Sequence, residues 1–214
     1  MPSTLVLIPT ELERQGIAPR LTGTDCRVEL CGFGMAAAAA RAARLLADIR
    51  PGRVMLVGIG GAYDARLSVG TAWRFGRVGC YGIGAGSGDA FMSAEVLGWP
   101  HWPGDPGDAS PVIGDVIPCA AATDSRSADL LLTVAAASGT AADAARRRLA
   151  FPDAVAEDME GFAVGVACRL AGVPLTIVRG ISNVAGDRDK AAWRLAEAVD
   201  AAADLASRLV VEDV

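Results

Sequence analysis

The sequence predicts an α/β fold: a single domain spanning 1–214 in three layers, α/β/α, around a mixed, largely parallel central sheet. Three observations predict it. Short apolar runs of strand length alternate along the chain with longer runs of helix formers. One of these runs, "RVMLVGIGG" (Arg53 to Gly61), enters a glycine turn as a buried strand does. The 214 residues are 52% hydrophobic and only 21% charged, enough to bury one substantial core.

The elements follow in order. "TLVLI" (Thr4 to Ile8) is a short buried strand that runs out into "PTELE", and "CRVELCG" (Cys26 to Gly32) is a loosely alternating strand. "MAAAAARAARLLADI" (Met35 to Ile49) consists of good helix formers and stops before Pro51. "DLLLTVAA" is a strand, followed by a helix over Ala141 to Leu149 and a short strand "DAVAED". "EGFAVGVACRLAG" is a helix with Gly172 as its stop, and "PLTIVRGIS" is a further strand. Lys190 to Val211 reads as one long amphipathic terminal helix. Between them, 82–118 is dense in Gly and Pro ("GIGAGSGDAF", "GWPHWPGDPGD") and predicts a functional loop region, an ordered lid or interface carrying Phe91, Trp99 and Trp102.

Several function classes are excluded or disfavoured. The net charge is −5 and the longest basic block is Arg146 to Arg148, so no basic stripe exists to meet phosphates and nucleic acid is not an expected partner. The five cysteines are scattered without a CxxC pair, which argues against a disulfide framework or a zinc site and for a reducing setting. The N-terminal apolar run is short and lacks a basic flank, and no stretch is long enough to span a bilayer; a cytoplasmic protein without a membrane partner is expected. His101 is the only histidine, leaving no material for a Ser-His-Asp triad or a multi-His metal site. "VGIGGAY" does not meet the G-x-G-x-x-G spacing; its Gly60 and Gly61 instead let a ligand approach the backbone. No metal or cofactor is expected.

Ligands of open α/β sheets bind beyond the carboxyl ends of the strands. Three predicted strand ends carry polar groups there: Glu11 and Glu13 after the first, Asp158 and Glu160 after "DAVAED", Ser182 and Asn183 after "PLTIVRGIS". A carboxylate at a helix start can cap it, which accounts for Asp158 as readily as function does; a second one, Glu160, asks for another role.

The stretch "AEDMEGFAVGVACRLAGVPLTIVRGISNVAGD" is similar to the signature of the nucleoside phosphorylase and nucleosidase superfamily, in which an acidic-Met-Glu triplet opens a helix and an R-x-I-S-[DN] strand end follows. The likeness extends through "AFPDAVAEDME", "VGIGGAY…LSVG" and "PTELE", most of the chain. It implies a nucleosidase that cleaves an N-ribosidic bond in a small-molecule nucleoside, and a homo-oligomer. By the same resemblance Glu13 is the base that activates water, with Glu11 as the alternative; Glu160 takes the ribose hydroxyls and Met159 packs on the sugar. Asn183 stands where adenine-cleaving relatives carry Asp, and an amide, which cannot give up a proton at neutral pH, suits a 6-oxopurine such as hypoxanthine. Ser182 flanks it. A nucleophilic phosphate dianion would be repelled by glutamates, which favours hydrolysis over phosphorolysis.

The chain also departs from the pattern. Ala137 and Ser138 stand where relatives place a stacking Phe, so the base is expected to stack on Phe162 or Phe91, and Ile59 stands where relatives often have Ser. A phosphorylase, a nucleosidase for another 6-oxopurine nucleoside and a non-catalytic purine-binding protein remain as alternatives.

Overall fold

A computed structural model describes residues 4–105, 111–120 and 129–212. In chain order the elements are β1 (Thr4–Ile8), α1 (Glu11–Ile17), β2 (Cys26–Leu30), α2 (Met35–Ile49), β3 (Arg53–Ala62), β4 (Ala72–Phe75) and β5 (Arg77–Tyr81). A small hairpin, β6 (Gly84–Ala85) and β7 (Met92–Ser93), precedes β8 (Val116–Pro118). The remainder is β9 (Leu130–Val134), α3 (Ala141–Ala150), β10 (Ala154–Asp158), α4 (Gly161–Ala171), β11 (Leu175–Val184) and α5 (Leu195–Glu212).

The sheet is mixed, as expected. Five of its pairings are parallel, among them β1 with β2 and β3, and β3 with β11; β10–β3, β11–β4 and β5–β8 are antiparallel. Strand alternation divides the apolar residues between two faces. Leu5, Leu7, Val54 and Leu56 pack with α2 and α4, whereas Val6, Ile8, Met55 and Val57 pack with α1 and α5. Helix α2 presents Ala38, Ala42, Leu45 and Ile49 along one stripe and ends at Arg50 in the left-handed region, just before Pro51. Gly172 closes α4 with φ +67, the left-handed cap the sequence predicts there.

Three regions differ from expectation. "PTELE" is the start of a helix rather than a strand end: Thr10 caps α1, accepting from the Glu13 N–H while the Glu13 carboxylate accepts from the Thr10 N–H. The predicted terminal helix begins later, at Leu195. Asp189 caps a single 3-10 turn (Lys190–Ala192), after which the Arg194 N–H donates to the Ser182 carbonyl, tying the segment back to β11. Strands β4 and β5 are not legible in the sequence, because Arg74, Arg77 and three aromatics blur the alternation of "AWRFGRVGCY".

In the loop region 82–118 the described residues form β6, β7 and β8, and residues 106–110 lie outside those described. His101 is half-buried against Phe162, ring centroids 4.7 Å apart, with its Nε2 3.3 Å from an Asp115 carboxylate oxygen. Trp99 is exposed.

Candidate active site

Strand β3 changes partners along its length. Its first half lies between β1 and β11; its last residues, Gly61 and Ala62, lie between β10 and β11. Where β1 leaves the sheet, a cavity of about 490 Å³ opens, a size that suits a small-molecule ligand.

On one side stands a buried acidic cluster. Glu13 is held by α1's capping box, and its Oε1 accepts from the Ile59 N–H at 3.0 Å. Asp158, the last residue of β10, accepts from the Arg179 Nε (3.0 Å) and Nη2 (2.5 Å), from the Gly161 N–H and from the Thr133 hydroxyl. Glu160 accepts from the Gly34 N–H at 2.9 Å and, at a long 3.4 Å, from Arg179 Nη2. Arg179 is completely buried, and its Nη1 has no hydrogen-bond partner among the described residues. This nitrogen and Glu13 Oε1 both lie over Gly58, where an added Cβ would collide with them, so glycine is required at that point.

One guanidinium thus faces three carboxylates. Burial alone would lower the Arg179 value, but Asp158, Glu160 and Glu13 outweigh it and raise it. Burial pushes the Glu160 carboxyl up to about 7, opposed by Arg179 and reinforced by Asp158.

The side chain of Glu157, which also lines the cavity, forms a second buried cluster. Its Oε2 accepts from the Tyr63 hydroxyl (2.6 Å), the Ser138 hydroxyl (2.7 Å) and Arg147 Nη1 (2.6 Å); its Oε1 accepts from the Ser138 N–H (2.7 Å). Burial, and next the Glu157 charge, push the Tyr63 phenol up, keeping it a donor.

Of the residues singled out from sequence, Glu13, Met159 and Glu160 line this cavity, as do Asp158, Gly60 and Gly61 and the β11 pair Ser182 and Asn183. The Asn183 amide oxygen accepts from the Ser182 hydroxyl and its nitrogen donates one hydrogen to the Val184 carbonyl, which leaves a second hydrogen for a ligand. Glu11 does not join them: it is on the surface, paired with Arg14. The two expected stacking aromatics are elsewhere. Phe162 is buried in the core between α4 and the sheet, and Phe91 packs on Tyr81 at 4.6 Å. The aromatics at the cavity are Phe33 and Trp193. None of the described residues of 82–118 lines it, so the described part of that region is no lid over this cavity within the chain.

Sequence reasoning missed Arg179, Glu157 and Phe33. Arg179 stood in view inside "VRGIS"; an Arg amid an apolar strand is a signal of a buried ion pair. Among the described residues no group of three or more His, Cys, Asp or Glu is arranged to hold a metal ion.

The fold is that of one class of protein. The pattern of the Phosphorylase superfamily matches residues 120–212. The fold is similar to 5′-methylthioadenosine/S-adenosylhomocysteine nucleosidase from Neisseria meningitidis (TM-score 0.77, 15% identity, all of both chains). It is similar also to futalosine hydrolase of Helicobacter pylori (TM-score 0.74, 15% identity, 99% of this chain and 97% of that one). In sequence the chain is 35% identical to futalosine hydrolase of Streptomyces coelicolor, over 94% of this chain and 85% of that protein. It is 31% identical to futalosine hydrolase of Thermus thermophilus, over 71% and 74%. The chain belongs to the futalosine hydrolase family. "LIPTELE", "EDMEGFAV", "RGISNVAGDRD" and "AFMSAEVLGWP" carry the same likeness.

Proposed function

We propose that the chain is a nucleosidase that hydrolyses the N-ribosidic bond of futalosine, releasing hypoxanthine and dehypoxanthine futalosine, in menaquinone biosynthesis. The observation that carries this reading is the meeting, in one cavity, of Glu13, Glu160 and Asn183 from three separate chain segments.

Breaking the bond builds positive charge on the sugar and negative charge on the departing purine. In this reading Glu13 takes a proton from a water aimed at the anomeric carbon, and Arg179 Nη1, buried beside Glu13 without a partner, donates to the same water. The ionised Glu160 accepts from the vicinal ribose hydroxyls, and such bonds strengthen as the sugar becomes cationic. Met159 packs on the sugar, and the free Asn183 hydrogen goes to the N7/O6 edge of the base. Asp158, with four donors on its carboxylate, holds Arg179 in place rather than meeting substrate. Three acids around one cation leave a negative surplus that stabilises an oxocarbenium-like centre and repels a phosphate dianion, which favours water as the nucleophile. The reading includes a cytoplasmic homo-oligomer with no metal or cofactor.

The test is to incubate the protein with futalosine, inosine and methylthioadenosine, with and without phosphate, and to identify the products. Hypoxanthine from futalosine, independent of phosphate, is expected. Faster cleavage of methylthioadenosine, or turnover that needs phosphate and yields a sugar phosphate, overturns the reading.

A further inference from the structure

We infer that Glu157 is a specificity residue of this site: its carboxylate accepts the N1–H of a 6-oxopurine base. The inference rests on the proposed function and adds a recognition element at the base's N1, next to the N7/O6 edge.

Glu157 is buried, lines the cavity, and has no part in the chemistry at Glu13 and Glu160. Its hydrogen bonds are unevenly shared. Three donors converge on Oε2, whereas Oε1 takes only the Ser138 N–H and keeps acceptor capacity. The three donors, Arg147 at 2.6 Å among them, hold the group in one orientation, so that any further donor meets a fixed acceptor.

Its position matches the width of a purine. In the sheet Asn183 pairs with Gly61, and Gly61 pairs with Glu157. The amide and the carboxylate therefore stand two strand spacings apart, about 10 Å between their backbones. A bare glycine lies between them, and all three line the cavity. Two side chains reaching inward from that separation can grip neighbouring edges of one base, Asn183 at N7/O6 and Glu157 at N1. Hypoxanthine carries a hydrogen on N1. Adenine presents a lone pair there, which faces the carboxylate unfavourably and leaves it unpaired. The same carboxylate thus attracts one base and rejects the other.

The experiment measures binding of hypoxanthine, 1-methylhypoxanthine and adenine to the wild-type protein and to Glu157→Gln by titration calorimetry. In the wild type, hypoxanthine is expected to bind at least about 100-fold more tightly than either of the others. In Glu157→Gln, hypoxanthine is expected to weaken about tenfold or more while adenine tightens, because the Gln amide can donate to its N1 lone pair, so the preference narrows. Equal wild-type binding of hypoxanthine and its 1-methyl derivative overturns the inference and leaves the proposed function standing. So does a parallel loss for hypoxanthine and adenine in the variant, the signature of a purely structural Glu157. If hypoxanthine does not bind the wild type at all, the proposed function and the inference fail together. Should the variant not fold, the wild-type series with the methylated base still decides.

Discussion

Glu157 and Asp158 are neighbours in the chain, yet each anchors a different charged cluster. Asp158 reaches Arg179 in a pair with no exposed side-chain surface, and that cation also has Glu160 and Glu13 to serve. Glu157 meets Arg147 one to one, with Ser138 and Tyr63 completing its shell. The first cluster has too many acids for its one cation, the second is balanced. Unbalanced buried charge is costly in a folded protein, and a surplus of carboxylate is what a cationic sugar needs. Balanced charge gives a fixed shape, which suits the recognition of a base. The two neighbours join different clusters because alternation along β10 sends successive side chains in opposite directions.

The largest expected effect that would break this contrast is on turnover. Glu13→Gln removes the base yet keeps a residue that can complete the capping box, so α1 should hold its place. We expect kcat to fall by about 10²–10⁴-fold while nucleoside binding persists, read by steady-state kinetics and equilibrium binding. Unchanged turnover would remove Glu13 from the chemistry, and with Glu11 on the surface no other N-terminal acid reaches the cavity to replace it.

The next effect is on stability. Arg179→Met leaves Asp158, Glu160 and Glu13 buried without their cation, and breaking such a cluster costs about 3–5 kcal/mol. Arg147→Met breaks a pair in which the arginine retains 11% of its side-chain exposure, so solvent can take up part of the freed charge. Denaturant melts of the two variants should rank them in that order. The reverse order would mean that the first cluster is less tightly buried than its geometry indicates.

Much of this was legible in the sequence, and the exceptions have physical causes. The bounds of α2 were readable because good helix formers run without interruption to Pro51. Glu160 and Asn183 were readable because both follow strand runs in a recognisable motif. Glu13 was found for a partly wrong reason: the sequence reading placed it on a strand end, whereas a capping box turns the chain into α1 and swings its carboxylate onto β3. Glu157 stands within "AEDMEG" and its place is not legible there, since its partners Tyr63, Ser138 and Arg147 come from three other segments and no local spacing joins them. The stacking residues failed similarly. Phe162 faces the core because it lies in α4's buried first turn, and Phe33 reaches the cavity from a loop bounded by Gly32 and Gly34, both at positive φ.

The smallest effect is the one most specific to the acidic cluster, a proton uptake by Glu160. Its folded value, about 7, lies above the ordinary 4.5, so the protonated form favours the fold. That contribution to stability is fully present below about 4.5 and is lost as pH rises through about 7. Ligand binding runs the other way, since only the ionised group offers the vicinal ribose hydroxyls a charged acceptor. Measuring nucleoside affinity in Glu13→Gln separates this from the catalytic base, and Glu13 is the last of the influences that raise Glu160, so the midpoint should fall only slightly. Affinity should weaken by up to about tenfold per pH unit below that midpoint and level off above it. Adding Glu160→Gln should flatten the profile and hold affinity at its low-pH level. A slope that survives the second substitution would assign the titration to another group and return Glu160 to a purely structural place beside Arg179.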